Sequence, residues 1–474
     1  MPMQPAVAAV YTSFFCAPLA VVMKPARRLA LEFVSRWTFR TMARPKWCLQ
    51  RALLPIETWT KIFLEFCSSS SAGGFNAERD YLRSVWDGLD HFVLGVAAFW
   101  SEVDVNLTSR PESLDIELAS SKELALDVRI DLRSQLADWE VDVKVDDNPN
   151  HLRLSDCLEL MKSVSPRWRT LRCQVNREFY LDVLRDFLET SSAPALSRVD
   201  VESAVADIQI DVRVLQGVLP ALRSLRLSVF PFLWMQSATF GSLTSLELCG
   251  ISPFHHPSLS IFAALLRGVS ATLRTLILAG VGFSGLRPHM PALFAMPVLE
   301  RIDLVFVFGN PVQDNLLVSV LGVVELPSLR SFRIENGGDD ITLHLAATLS
   351  DLSTVRTLSI CGGSIGPLST QHLVGAMSGI TNIDIQMASY EFVGALFALP
   401  DALPNLQVLR FDVFDASLVL AYLLARGAHR RPLLRTLRCI QDAGVPLLLS
   451  QIAAIGRLPT VGVDFAYLEL SRDG

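Results

Sequence analysis

From residue 166 onward the apolar positions follow one spacing, L-x-x-L-x-L, as in "PALRSLRL" (220–227), "GSLTSLEL" (241–248), "ATLRTLIL" (271–278) and "PVLERIDL" (297–304). Eleven copies place their first apolar residue at Trp168, Leu196, Leu222, Leu243, Leu273, Leu299, Leu329, Val355, Ile380, Leu406 and Leu434, separated by 21 to 30 residues. In every copy except "ATLRTLIL" a polar residue stands between the last two apolar ones, the period of a strand with one face buried. Proline stands two residues before the first apolar position in seven copies, at Pro166, Pro194, Pro220, Pro297, Pro327, Pro404 and Pro432. Proline cannot continue a helix and biases its predecessor toward extended backbone, so it marks the junction into each strand. Between copies lie runs with helical spacing: "SIFAALLRGV" (260–269), "DNLLVSVLGVV" (314–324), "YEFVGALFAL" (390–399) and "ASLVLAYLLARG" (416–427). The pattern predicts a repeated strand, loop and helix.

One such unit cannot bury its own leucines, and stacking supplies the missing surface: parallel strands on one side, helices on the other, and a continuous core between. The fold class expected is therefore α/β. If the motif leucines point inward, the intervening residues line the concave face. Its central column reads Arg172, Asp200, Arg226, Glu247, Ile277, Asp303, Arg333, Ser359, Asp384, Arg410 and Arg438, flanked by Glu202, Arg301, Glu335, Asn382, Gln386 and Asp412. Signs alternate along the column, and extended concave faces are where solenoids bind. Arg226, Glu247, Asp303, Arg333, Asp384 and Arg410 are thus the candidate substrate contacts, with a protein as the partner.

These residues resemble leucine-rich repeats over 166–474, with a less regular copy at "ELALDVRIDL" (123–132). They depart from the commonest family pattern three positions after the last strand leucine, where Phe230 and Ile251 stand in place of asparagine or cysteine. The resemblance implies a horseshoe of a less regular type, without a loop ladder made by that side chain.

Composition adds exclusions. Half the residues are hydrophobic and 19% charged, as a large buried core requires and a disordered chain does not. A net charge of −6 lacks the basic field of a nucleic-acid binder. The eight cysteines are scattered with no C-x-x-C pair, which suits a reducing compartment, cytoplasmic or nuclear, and no disulfide framework. His255 and His256 have no cysteine nearby and are read as a solvated loop before a helix; no metal or cofactor is expected. Residues 1–23 carry no charge, but Thr12, Ser13 and Pro18 interrupt the run needed for a membrane span, and its basic residues follow it instead of preceding it.

"LLPIETWTKIFLEFC" (53–67) has a different character. Pro55 suits the first turn of a helix and Glu57 its positive end. At about 100° per residue, Ile56, Trp59, Ile62, Phe63 and Phe66 share one face, while Glu57, Thr58, Lys61 and Glu65 take the other. Leu54, Pro55, Ile56, Glu57, Ile62 and Phe63 resemble the opening of the F-box, a short all-helical domain. After the serine-rich "SSSSAGG" (68–74), the segment 81–105 supplies Leu82, Val85, Val93, Phe99, Trp100 and Ser101 at the spacing of its second half. Trp86 and Leu89 replace the usual cysteine and tryptophan there, and Asp87 and Asp90 stand where basic residues are common.

The two resemblances together imply a fungal F-box protein with C-terminal repeats, the substrate receptor of an SCF-type ubiquitin ligase. Leu54, Pro55, Ile56, Glu57, Trp59, Ile62, Phe63 and Phe66 would dock on Skp1, and through it on a cullin, while the repeats hold a protein substrate. The implied organisation is an N-terminal extension (1–48), an F-box-like domain (49–101), a connecting segment with the first irregular repeats (102–165) and the repeat domain (166–474). No catalysis is expected. "GGSIG" (362–366) fits the G-x-S-x-G pattern, with Ser364 as nucleophile and His372 or His429 as base, but "AGVGFSG" (279–285) has similar glycines at the same point of another repeat, so a repeat turn accounts for them.

Overall fold

The computed structural model describes residues 97–133, 149–205, 219–412 apart from short stretches, and 436–440. The chain divides into two compact units, Met1–Val105 with Ser109–Arg129, and Asn106–Thr108 with Ile130–Gly474. A 3-10 turn (Ala97–Trp100), β1 (Glu102–Asn106) up to Val105, α1 (Pro111–Ser120) and β2 (Leu126–Leu132) up to Arg129 belong to the first. Pro111 opens α1, where a missing N–H costs nothing, and Leu114 and Leu118, one turn apart, form its buried edge. In β2 the sequence L-D-V-R-I-D-L alternates buried and partly exposed residues from end to end. The copy expected at 123–132 is therefore a strand.

In the second unit, helix α2 (Pro149–Ser163) precedes β3 (Trp168–Val175), and helix α3 (Glu178–Thr190) follows it. Then come β4 (Arg198–Ser203), β5 (Ser224–Ser228), β6 (Ser245–Cys249), helix α4 (Leu259–Val269) and β7 (Thr275–Ala279). Beyond these lie β8 (Phe294–Ala295), β9 (Arg301–Val305), β10 (Val324–Glu325) and β11 (Ser331–Glu335). Helix α5 (Asp339–Thr348), β12 (Thr357–Cys361), helix α6 (Pro367–Ala376), β13 (Asn382–Gln386), helix α7 (Tyr390–Phe397), β14 (Val408–Asp412) and β15 (Thr436–Ile440) complete it. The helical runs at 314–324 and 416–427 fall largely outside the described residues. Eleven strands of a 13-stranded sheet, one for each motif copy, run parallel in the order β3-β4-β5-β6-β7-β9-β11-β12-β13-β14-β15. This is an α/β leucine-rich-repeat solenoid. β8 and β10 pair separately, also in parallel.

The register is uniform: Leu225 pairs with Leu246, Leu246 with Leu276, and Leu276 with Ile302. Three apolar ladders result. The first runs through Leu196, Leu222, Leu243, Leu273 and Leu299, and all of these are fully buried; the second and third, such as Leu276 and Leu278, are equally so. Removing a leucine side chain from water contributes about 1.5 to 3 kcal/mol, so the ladders are the main source of cohesion between repeats.

Most of the described motif strands are entered through a tight turn. The N–H of the first motif residue donates to the carbonyl three positions back, as in Leu196 to Ala193, Leu222 to Leu219, Leu299 to Met296, Leu329 to Leu326 and Leu406 to Leu403. Proline occupies the second turn position, where a φ locked near −65° fits. The carbonyl residue is itself buried: Leu219, Phe240, Met296, Leu352, Met377 and Leu403 all lie in the core. The repeat motif thus begins one turn earlier than L-x-x-L-x-L. The next N–H reaches the preceding repeat, Arg223 to Ser197, Thr244 to Arg223 and Arg274 to Thr244, and these bonds continue the ladder below the strands.

At the other end the strands run into left-handed residues, Val229 (φ 51°), Gly250 (58°), Gly280 (60°), Asn336 (56°) and Gly362 (66°). Their N–H groups donate to the following strand, for example Gly250 to Ala279 and Gly280 to Val305. The chain then turns inward, and Phe230, Ile251 and Val281 fill the space beneath. Backbone bonds and apolar burial do here what an asparagine ladder does in the commoner pattern. Helices back the ladders: Trp168 of β3 meets Phe187 of α3 with ring centroids 5.3 Å apart.

Candidate functional site

The alternate residues of the strands form a second, polar set of rows on the face opposite the ladders. The register aligns Thr170, Arg198, Ser224, Ser245, Thr275, Arg301, Ser331, Thr357 and Asn382 in one row. A second contains Arg172, Asp200, Arg226, Glu247, Ile277, Asp303, Arg333, Ser359, Asp384 and Arg410, the column expected from sequence. The third passes through Gln174, Glu202, Ser228, Cys249, Ala279, Val305, Glu335, Cys361 and Gln386. Parallel strands in unshifted register bring all six candidate substrate contacts, Arg226, Glu247, Asp303, Arg333, Asp384 and Arg410, into one line.

Those charges are engaged with one another. Asp200, with a side chain only 8% exposed, lies 3.8 Å from both Arg172 and Arg226, and Arg226 Nε lies 3.1 Å from Glu247 Oε1. Burial opposes the Arg226 charge, but Glu247 and Asp200 outweigh it and raise the guanidinium above its ordinary pKa. Arg301 makes a two-pronged pair with Asp303, Nε to Oδ1 at 2.9 Å and Nη2 to Oδ2 at 2.6 Å, and the Asp303 side chain is 5% exposed. That hydrogen bonding is the main reason the Arg301 pKa is raised. Arg333 pairs with Glu335 at 2.7 Å, Asp384 with Arg410 at 4.0 Å, and Gln174 donates to Glu202 at 2.9 Å. From β3 to β15 the three rows carry seven arginines (172, 198, 226, 301, 333, 410 and 438) and seven carboxylates (200, 202, 247, 303, 335, 384 and 412), with no lysine. The face is neutral as a whole.

The alternation breaks at β7. Ile277 stands between Glu247 and Asp303, and Ala279 and Val305 pair beside it in the third row. All three are partly exposed. Cys249 borders them, and burial, reinforced by Glu247, pushes its thiol pKa to about 11. Ile277 is visible in the sequence column, but its apolar neighbours Ala279 and Val305 emerge only when the strands are read two residues further on and set side by side.

His255 and His256 differ from expectation, because their loop is packed, not solvated. His255 is buried, and His256 Nε2 lies 3.0 Å from the Ile251 carbonyl with its ring against Gly282, where a Cβ would collide with it. Burial lowers the His256 pKa, so the ring is neutral near pH 7 and donates to that carbonyl. No group of three or more metal-ligating side chains forms among the described residues. Ser364 is exposed in a turn whose backbone bridges to Gly338, and a Cβ at Gly363 would run into the Gly337 carbonyl oxygen, so the turn itself demands the glycine.

Leu54, Pro55, Ile56, Glu57, Trp59, Ile62, Phe63 and Phe66 lie outside the described residues. Of the second F-box-like segment, Phe99 and Trp100 are completely buried and Ser101 Oγ donates to the Ala98 carbonyl at 3.0 Å. No described helix is long and apolar enough to cross a membrane.

No family model and no curated protein matches the sequence. Among solved structures, the chain is similar to the complex of Rad7 and Elc1 from yeast, with 13% identity over 94% of this chain and 98% of the other and a TM-score of 0.31. It is also similar to a protein from Bacteroides fragilis, with 14% identity over 62% of this chain and 68% of the other and a TM-score of 0.27.

Proposed function

We propose that the chain is a substrate-recognition adaptor of an SCF-type ubiquitin ligase, docking on Skp1 through residues 54–66, and through it on a cullin, and holding a protein substrate on the repeats. The observation that carries the binding half is the polar face of the eleven motif strands: a long surface of fixed register whose side chains neutralise one another. Such a face suits a folded protein or peptide better than a phosphate backbone, which needs an uncompensated basic field. The ligase half rests on the resemblance of residues 53–66 and 81–101 to the F-box. The adaptor performs no bond chemistry itself; it raises the effective concentration of a substrate lysine near a charged ubiquitin carrier.

Co-expression with Skp1, with and without residues 53–66, tests this. The intact chain is expected to retain Skp1 through purification and the deletion to lose it while the repeats stay folded. The substitutions at Trp86, Leu89 and Asp90 favour a second reading, a repeat scaffold whose F-box no longer docks. Folded intact protein that never retains Skp1 establishes that reading and removes the first.

A further inference from the structure

The polar face carries one place where the chemistry changes, at the centre of β6, β7 and β9. Strands sit about 4.8 Å apart and successive same-face residues about 7 Å apart, so Ile277, Ala279, Val305 and Cys249 span a patch about 10 Å by 7 Å. That is the footprint of one or two apolar side chains. The carboxylates on either side are committed elsewhere: Glu247 to Arg226, on the β5 side, and Asp303 to Arg301 within its own strand. Arg333 and Glu335 close the far border as a pair. The rim therefore offers no free charge to a ligand of either sign. Alongside runs the hydroxyl row Ser224, Ser245 and Thr275, placed to hydrogen-bond a backbone lying across the strands.

We propose that this patch is the anchor point for the substrate, and that its occupant is a partner-protein segment of near-zero net charge with one or two aliphatic or aromatic side chains seated on Ile277 and Val305. A small desolvated apolar centre inside a polar rim is the arrangement in which few residues carry most of the binding energy. The neutrality of the rim selects the occupant: an acidic, phosphorylated or strongly basic segment would have to break an internal arginine pair to gain one of its own. This deepens the adaptor reading and rests on it only for the word substrate.

The test is selection of short random peptides, displayed on phage, against the full chain. Enriched peptides are expected to share an apolar anchor and little net charge, and their affinity to change less than about twofold between about 0.1 and 1 M salt. Ile277→Asp and, independently, Val305→Lys should each weaken binding at least about tenfold. Both side chains are partly exposed, and circular dichroism melts confirm that each variant is folded. No enrichment, enriched peptides of one charge with salt-sensitive binding, or binding indifferent to both variants would overturn the site. So would self-association abolished by Ile277→Asp, which makes a second copy of the chain the occupant. Skp1 retention, measured on the same preparations, keeps the two readings apart: a chain that retains Skp1 but selects no such peptide loses this site alone, and one that selects peptides without Skp1 loses the ligase assignment alone.

Discussion

Gly363 and Val229 both sit in the left-handed region, at φ 82° and 51°, and the two residue types have opposite consequences there. At Gly363 any side chain is both conformationally strained and aimed at the Gly337 carbonyl oxygen. Gly363→Ala is expected to destabilise the chain by more than about 1 kcal/mol, seen as a lower urea midpoint, whereas Gly394→Ala, inside α7 with open space around it, should raise it slightly. Val229 is a branched residue where glycine or asparagine is favoured, so Val229→Gly should stabilise by about 1 kcal/mol in the same measurement. Cys249 gives the pH dependence. Its pKa is raised by burial from 9.0 to about 11, so at pH 8 its alkylation should be slower than that of an exposed thiol and should accelerate above pH 10. Because the folded value is the higher one, the contribution to stability is full below pH 9 and is lost as pH rises toward 11. Site-resolved mass spectrometry after timed iodoacetamide exposure reads the rates.

At the scale of the element, the strand is held by three buried positions and a turn. Leu276→Ala, in the central ladder, should cost about 2 to 5 kcal/mol, and Thr275→Ala, one residue away on the polar face, under about 0.5 kcal/mol; denaturation curves separate them. The strands were legible in the sequence because period-two alternation and the recurring proline both report on backbone, and parallel stacking copies them from repeat to repeat. The buried residue at the start of each turn was not, since Leu219, Phe240, Met296 and Met377 differ in type and precede the obvious motif. Nor was the pairing of charges. Asp303 lies between Ile277 and Arg333 in register, yet its partner is Arg301 of the same strand, because a long guanidinium side chain reaches two residues along as readily as one strand across. Composition locates such charges; only geometry says which carboxylate each arginine satisfies. The expected solvated loop at His255 failed for a related reason, since a single glycine at 282 gave the His256 ring a place to pack.

For the whole molecule, a repeat array turns a local motif into a long surface, and the surface defines what can bind. Arginine and carboxylate in equal number along the described rows remove the net field, so recognition falls to shape, hydroxyl groups and the apolar break at β7. The proposed adaptor role needs two competences, a substrate surface and a docking segment, and the candidates for them lie in separate stretches of sequence, the repeats and residues 53–66. The docking segment carries the central claim. Titration of purified Skp1 into the full chain by calorimetry, with circular dichroism to show that the repeats are intact, tests it most directly. Saturable one-to-one binding by the wild-type chain, weakened at least about a hundredfold in the Leu54→Ala, Phe63→Ala double variant, is the predicted result. A folded wild-type chain that gives no binding heat at any temperature tried, or a double variant that binds as tightly as the wild type, would contradict it.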